Sequence, residues 1–442
     1  MRESDHRELD NKVAIVTGAG GGIGWASCSA HTEMPTMPTP QRRPGFLQGI
    51  MLLLPITLAV MGISVLAPVV PLLLRQFKDA PYHEYLVMGG ILTMPAIWVL
   101  LFSPAAGWMA DRFGRRNLLV VSMIAYAFVG VAPVFLDNLY AIIASRVAVG
   151  ICESIVMTVS TTLISDYFKG HARERWLASQ TAVASVSALG IIYLGGQFGA
   201  VYGWRGPFYL YAYSLPLALC VFAWIWEPSA SETRTDGAAA GEAHYEEFPW
   251  ARILSICAIT LLASISFYTV ITKNAEALIV LGVSDTAQIT RFTALASIGV
   301  PLGTFIFWAL SRLPIGWLLC IDFALVGTGF AWMGRAQDPD TYVWGSFINQ
   351  IGCGLVLPTM LVWATRGLAY GIRGRVNGMW QAAFAIGQFL SGMVVTLLSK
   401  QLGGLLPTLA VMGKAILVFA VIAAVMGVIW RRHENAAVAI VG

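Results

Sequence analysis

Long apolar stretches run through the sequence from Phe46 almost to its end. The hydrocarbon core of a bilayer is about 30 Å thick, and a helix of about 20 apolar residues crosses it. Charged and turn residues divide the chain into about twelve stretches of this kind. They lie at 46–74, 85–106, 118–135, 139–165, 176–202, 206–226, 251–276, 288–310, 315–335, 341–365, 375–399 and 405–430. The sequence therefore predicts an all-α membrane protein with about twelve transmembrane helices.

A polar stretch in the middle of the chain divides the predicted spans into two groups of six. Residues 227–250 are rich in Ala, Gly, Ser, Thr and Glu, and we interpret them as a cytoplasmic linker. The domains predicted in this way are a mostly disordered leader over 1–45, six-helix bundles over 46–226 and 251–432, and a tail over 433–442. Arg173-Glu174-Arg175 and Arg373-Gly374-Arg375 precede the fifth and eleventh spans. An internal repeat of this kind is typical of transporters that rock one bundle against the other.

Composition and charge argue against several other classes of protein. The chain is 57% hydrophobic and 12% charged, against about 45–50% and 25% in a soluble domain. Its formal net charge of +4 comes from loop arginines, which favours membrane orientation over nucleic-acid binding. These arginines fall on one side of the predicted spans, so we expect both termini in the cytoplasm. The six cysteines lack metal-ligand spacing, and we predict neither a metal nor a cofactor.

The loop between the second and third spans carries a specific motif. Gly107-Trp108-Met109-Ala110-Asp111-Arg112-Phe113-Gly114-Arg115-Arg116 resembles the G-x-x-x-D-R-x-G-R-R signature of the major facilitator superfamily. The resemblance implies a loop that latches the cytoplasmic side in one state of an alternating-access cycle. The candidate gating residues are Gly107, Asp111, Arg112, Gly114, Arg115, Arg116 and Asp166. We expect Gly107 to permit a close helix approach and Asp166 to pair with Arg112.

The fourth span contains two charged residues, Arg146 and Glu153, and Glu153 lies near the middle of the span. The segment Arg146 to Ser154 resembles the R-x-x-x-G pattern of helix 4 in the same superfamily, and Glu153 is similar to the acid of its spinster-like and organic-anion branches. A charge at the bilayer centre costs about 2.5–3.5 kcal/mol, so it persists mainly where it faces a cavity or a partner. A separation of seven residues places both side chains on one helix face, about 10 Å apart along the helix axis. We predict that Glu153 couples transport to protons, with Asp322 as a second candidate. An arginine–acid pair that only joins neighbouring helices is the structural alternative.

Other residues of the spans are candidates for substrate binding. If Arg146, Lys273 and Lys414 share a cavity, an anionic substrate is favoured, although both lysines could instead extend toward the membrane surface. Tyr193, Tyr268 and Trp380 could line an apolar part of the site, or they could be packing residues.

The leader contains a fragment of a different kind. Asn11 to Ser27 reads NKVAIVTGAGGGIGWAS, with Gly18, Gly22 and Gly24 at the glycine positions of a fingerprint that resembles the short-chain dehydrogenases/reductases. The prolines from Pro35 to Pro44 leave no room for the rest of a nucleotide-binding sheet. We therefore interpret these glycines as vestigial, and we expect deletion of residues 1–33 to leave function intact.

These observations predict a monomeric, proton-coupled secondary transporter in a plasma or bacterial inner membrane. Its substrate is a small organic solute, anionic or amphipathic, and its partners are that solute, protons and the lipid bilayer, with no nucleic acid. A drug efflux antiporter remains an alternative, although Ile191 and Ile192 stand where such proteins carry Gly-Pro. A nucleotide-dependent oxidoreductase is the alternative that rests on the leader alone.

Overall fold

The fold is known from a computed structural model, which describes residues 44–227, 250–311, 313–365 and 370–441. The regular elements in these ranges are helices. Gly18, Gly22 and Gly24, which the sequence analysis interprets as vestigial, lie outside the described residues, as does most of the predicted linker.

The first half of the chain forms helices α1 to α6. Several are interrupted, because proline lacks the backbone N–H group that a helix needs and glycine lowers helix stability through its conformational freedom. Their bounds are Phe46–Gln76 for α1, His83–Leu92 and Met94–Phe113 for the two parts of α2, Arg115–Phe135 for α3, Leu139–Tyr167 for α4, Gly170–Tyr202 for α5, and Gly203–Tyr213 with Ser214–Trp224 for α6.

The second half forms helices α7 to α12. Their bounds are Trp250–Val280 for α7, Thr286–Leu310 for α8, Ile315–Met333 for α9, Pro339–Thr365 for α10, Tyr370–Gln401 for α11 and Leu405–Val441 for α12. Small residues bring α9 and α12 close together, since a Cβ on Gly327 would lie 2.9 Å from Leu417 Cγ and 3.0 Å from the Gly413 oxygen. Such close backbone approaches are typical of helix packing in membranes.

Each predicted span overlaps one of these helices, although 206–226 and 315–335 extend past the helix ends at Trp224 and Met333, and this confirms the all-α membrane fold. By length and hydropathy, nine helices among the described residues qualify as spans, or ten if bent α2 is counted. Two further predicted spans are not counted separately. Helices α5 and α6 are counted as one apolar stretch, Gly170–Trp224. The described part of α10, which contains Asn349 and Gln350, is not among the nine.

Each half buries an apolar cluster of its own. The first cluster extends in sequence from Leu52 to Ile225, and the second from Ala263 to Ala420. Tyr268 and Ile271 of α7 pack against the first cluster although they belong to the second half. These two residues of α7 therefore lie where the two halves meet.

Candidate functional site

Arg146 is fully buried near the start of α4, at 0% exposure. The helix begins after Asn138, whose side chain accepts hydrogen bonds from the Tyr140 and Ala141 backbone N–H groups. The Arg146 guanidinium donates to the Gly62 oxygen at 2.9 Å, the Tyr211 hydroxyl at 2.8 Å and the Ile91 oxygen at 3.2 Å. Its Cζ also lies 5.0 Å from the centre of the Tyr211 ring.

The two carbonyl groups bound by Arg146 lie at helix ends. Gly62 belongs to the last turn of the helical piece Ile56–Ser64, and Ile91 to the last turn of the first part of α2, His83–Leu92. Carbonyl groups in a final helical turn have no partner within their own helix. Arg146 therefore joins α1, α2 and α6 to α4 by supplying hydrogen bonds that the interrupted helices lack.

Glu153 lies about two turns farther along the same face of α4 and is 7% exposed. Its Oε2 atom is buried and has no hydrogen-bond partner among the described residues, and Arg146 Nη1 also has none. A Cβ on Gly62 would come within 2.8 Å of Glu153 Oε2, so the glycine makes room for the carboxyl group. Arg146 and Glu153 interact electrostatically without an ion pair in the described part of the chain.

An aromatic cluster of the second half, formed by Phe267, Tyr268, Trp380 and Phe384, is the next part of the site. The Phe384 ring centre lies 5.6 Å from that of Tyr268 and 6.0 Å from that of Trp380, and Phe267 meets Tyr268 edge-on at 4.9 Å. The Trp380 Nε1 atom is buried without a hydrogen-bond partner among the described residues. Since Tyr268 also interacts electrostatically with Glu153, this cluster approaches the acid of the first half. The sequence analysis missed Phe384, although its spacing of four from Trp380 was a usable signal.

Lys273 is buried in α7 rather than extended toward the membrane surface. It is 3% exposed, and its Nζ lies 2.7 Å from Glu276 Oε2 on the same helix. The sequence analysis missed Glu276, which the spacing of three residues could have revealed. Tyr193 is 45% exposed, and Lys414 is exposed as well. Both lie outside the buried contacts around Glu153.

Asp322 lies apart from Glu153, within the core of the second half. It is 0% exposed, and both carboxylate oxygens lack a hydrogen-bond partner among the described residues. Its neighbours on α10 are Thr359 and Cys353, and the Thr359 hydroxyl donates to the Leu355 oxygen at 2.9 Å. The two predicted proton-coupling acids are therefore not brought together.

The predicted latch residues form a network whose centre is Arg115. Its guanidinium donates to Asp111 at 3.1 Å and to Asp166 of α4. The predicted pairing of Arg112 with Asp166 is wrong, because the Arg112 guanidinium instead lies 5.4 Å from the Trp108 ring and 6.0 Å from the Phe113 ring.

The glycines of the same loop also differ from each other. Gly114 has φ of 86° between α2 and α3, a conformation that side chains with a Cβ rarely adopt. The predicted close approach at Gly107 is wrong, since a Cβ there would meet nothing within 4 Å. Gly107 lies on a helix face with open space around it.

Glu227, which the sequence analysis missed, caps the first turn of α3. Its carboxylate accepts hydrogen bonds from the Arg115 and Arg116 backbone N–H groups at 2.6 and 2.8 Å. A helix N-terminus carries unpaired N–H groups and a partial positive charge, which suit a carboxylate. The Arg116 guanidinium lies 4.4 Å from the Phe222 ring on α6, so this contact joins the ends of α3 and α6.

Comparisons with known proteins assign the chain to a family. A model described as the Major Facilitator Superfamily matches residues 52–392, well over half of the chain. The chain belongs to the Major Facilitator Superfamily. This membership, together with the apolar helices, makes it an integral membrane protein of a transporter family rather than an enzyme family, and it confirms the resemblance found in the sequence.

Individual relatives cover only part of the chain. The class B tetracycline resistance protein of Escherichia coli is 28% identical over 183 residues, which are 40% of this chain and 44% of that protein. A niacin transporter of Acinetobacter baylyi is 28% identical over 28% of this chain and 30% of its own length. The chain thus spans about half or less of the length of these curated relatives.

Solved structures share the fold over most of the chain. A bacterial homologue of the human lysosomal transporter spinster, in an inward-facing and unoccupied conformation, has a TM-score of 0.66 at 18% identity. The match covers 87% of this chain and 96% of that protein. At this identity the likeness concerns the fold alone.

Proposed function

We propose that the chain is a proton-coupled secondary transporter for a small organic solute. It works by alternating access as a monomer in a plasma or bacterial inner membrane, with both termini in the cytoplasm. The observation that carries this proposal is Glu153, a buried acid close to where the two halves meet, whose Oε2 atom has no hydrogen-bond partner among the described residues.

The surroundings of Glu153 suit a residue that gains and loses a proton during transport. Burial favours the neutral carboxyl group, whereas a nearby cation favours the carboxylate. Arg146 is held by Gly62, Ile91 and Tyr211, so its charge is fixed in place near the acid. A movement between the halves changes the burial of Glu153 more than its distance from Arg146. Proton occupancy then depends on which side of the carrier is open.

The aromatic cluster supports a solute with a flat ring. Aromatic faces and edges pack against planar groups with a preferred geometry. The Trp380 N–H group, which has no partner in the described part of the chain, is a donor for an oxygen or nitrogen on that ring. Two of the relatives are named for tetracycline and niacin, and both compounds contain six-membered rings. Of the three cations that favoured an anionic solute, Arg146 contacts carbonyl oxygens, Lys273 contacts Glu276, and Lys414 is exposed. We therefore favour an amphipathic aromatic solute over a simple anion.

Drug efflux by proton antiport is a second candidate function. It is favoured by the similarity to the tetracycline resistance protein, and it uses the same acid. The direction of proton and solute movement separates the two. Antiport moves the solute out as protons enter, whereas symport carries both in the same direction.

The test is Glu153→Gln in proteoliposomes, with radiolabelled niacin and tetracycline as solutes. The amide imitates the protonated acid, so we expect solute exchange to continue while accumulation driven by a pH gradient is lost. Asp137→Asn, an exposed acid paired with Arg205, is the matched control and should keep both activities. Gradient-driven transport at the wild-type rate in Glu153→Gln would exclude this acid and make Asp322 the coupling candidate. Transport of both solutes without any proton flux would refute coupling altogether.

A further inference from the structure

The outer part of α2 has an unusual backbone. We define the outer end of the bundle as the end with loops 77–82 and 402–404, opposite the arginine-rich loop 112–116. Leu86–Leu92 forms a π-helix, and a break at Thr93 bends α2 by 42°. Tyr82, which precedes this part, has φ of 55° although it is not a glycine. π-helical turns are rare and frequently occur at functional sites, and a left-handed residue with a side chain stores strain.

This segment packs on α11 across the boundary between the halves. A Cβ on Gly89 would come within 2.8 Å of Met393 Sδ, and a Cβ on Gly392 would come within 3.2 Å of Met88 Cβ. Each methionine thus occupies the space left by a glycine of the facing helix. The contact is complementary, but its side chains are apolar and can separate without leaving a charge unpaired.

Two polar contacts lie along the same boundary. The Thr93 hydroxyl lies 3.0 Å from the Met88 oxygen in its own helix and 3.0 Å from the Phe389 oxygen of α11. At the outer end, Lys400 Nζ lies 2.6 Å from Glu84 Oε2 and 4.9 Å from the centre of the Tyr85 ring. The Glu84 and Lys400 side chains are 38% and 52% exposed, so water can solvate both charges if they separate.

We propose that His83–Leu92 is the outer gate of this carrier and that the Glu84–Lys400 ion pair is its latch. The inference rests on the alternating access proposed above, since the halves must part along this boundary for the outer end to open. The break at Thr93 is the hinge, and the π-helix is a backbone that can rearrange without breaking a regular α-helical ladder. A half-exposed ion pair contributes little energy. That suits a latch which must open in every cycle.

The first test measures exposure of the boundary without using a solute or a proton gradient. Met88 is 1% exposed. We would place Met88→Cys in a protein whose native cysteines are replaced by serine, and label it with a maleimide in nanodiscs, where both faces are open to reagent. Glu84→Gln and Lys400→Gln should each raise the labelling rate, by up to about fivefold for a pair of this exposure. The double exchange Glu84→Lys with Lys400→Glu should return the rate to that of the background.

A matched ion pair provides the control. Asp137 and Arg205 also form an ion pair, and both belong to the first half, so Asp137→Asn should leave the labelling rate of Met88→Cys unchanged. If Glu84→Gln and Lys400→Gln leave the rate unchanged, or if the double exchange labels as fast as the single variants, the pair is not a latch. This readout stays informative even if Glu153 proves not to couple protons.

The second test fixes the gate in the closed position. Glu84→Cys with Lys400→Cys, joined by a short bifunctional thiol reagent with a reducible link, should stop solute exchange until the link is reduced. The same treatment of Asp137→Cys with Arg205→Cys joins two residues of one half and should leave exchange intact. Continued exchange through the Glu84–Lys400 cross-link would overturn the proposal, because the gate would then not need to open there.

Discussion

Replacing Arg146 by Ala tests whether this arginine is a structural clamp or a substrate ligand. The substitution leaves the Gly62 and Ile91 oxygens without their donor, while the Tyr211 hydroxyl still has the Met61 oxygen at 3.3 Å. A buried acceptor without a partner costs about 1–3 kcal/mol, so two of them cost about 2–6 kcal/mol. Interhelical hydrogen bonds in membranes average about 0.6 kcal/mol by double-mutant cycles. We therefore expect a loss near the lower end, about 2 kcal/mol.

The assay is the free energy of unfolding in mixed micelles, measured together with solute binding. Arg205→Ala is the control, because it removes an arginine of similar chemistry whose ion pair is exposed, and we expect it to cost less than about 1 kcal/mol. Arg146→Lys keeps a cation near Glu153 but loses the planar fork that reaches both carbonyl groups. Arg146→Lys should therefore lower the free energy of unfolding as Arg146→Ala does. It should retain more of the solute uptake driven by a pH gradient than Arg146→Ala retains.

One result would refute the clamp. If Arg146→Ala unfolds with the wild-type free energy but no longer binds the solute, the arginine contacts the solute and the hydrogen bonds to Gly62 and Ile91 contribute nothing to stability. The prediction that Arg146 binds substrate would then be preferred.

Two further predictions concern helix packing and the inner loop. Gly150→Ala should destabilise the protein by about 1–3 kcal/mol, because the new Cβ would lie 2.7 Å from the Pro95 oxygen. Gly107→Ala should change the free energy of unfolding little, since a Cβ there meets nothing within 4 Å. Equal losses for both variants, measured by unfolding in the same detergent, would contradict the packing argument. Asp166→Asn removes the charge that Arg115 contacts, and it should slow transport while the amount of protein in the membrane is unchanged. If Arg112→Ala slows transport and Asp166→Asn does not, the ion pair of Arg115 has no role in the transport cycle.

Glu153 and Arg146 illustrate how far the sequence could predict the site. Their positions within an apolar span identified them as residues that need a cavity or a partner, and their spacing of seven placed them on one face of α4. Their partners could not be read from the sequence, because Gly62, Ile91 and Tyr211 are distant along the chain and two of them contribute only a backbone oxygen. Any residue type can supply such an oxygen.

The loop between α2 and α3 shows a similar limit for residues that lie closer together in the sequence. The sequence predicted that Arg112 pairs with Asp166, whereas in the structure Arg115 makes that contact. Which arginine makes it depends on the direction in which α3 leaves Gly114, and that direction placed Arg115 beside Asp166 and Arg112 against Trp108. Glu227 was missed because a helix N-terminus attracts a carboxylate through backbone N–H groups that have no sequence signature of their own.

The sequence by itself determined the membrane class, the helical spans and the family. These follow from the length of the apolar stretches and from one short motif, and both are local along the chain. Only the tertiary structure decided that Arg146 bonds to helix ends, that Phe384 stands between Tyr268 and Trp380, and that Glu84 meets Lys400. These contacts join residues far apart in the chain. They are determined by the angle and register at which the helices pack. Apolar stretches fix helix length but leave that angle and register open, because many packings bury the same apolar surface.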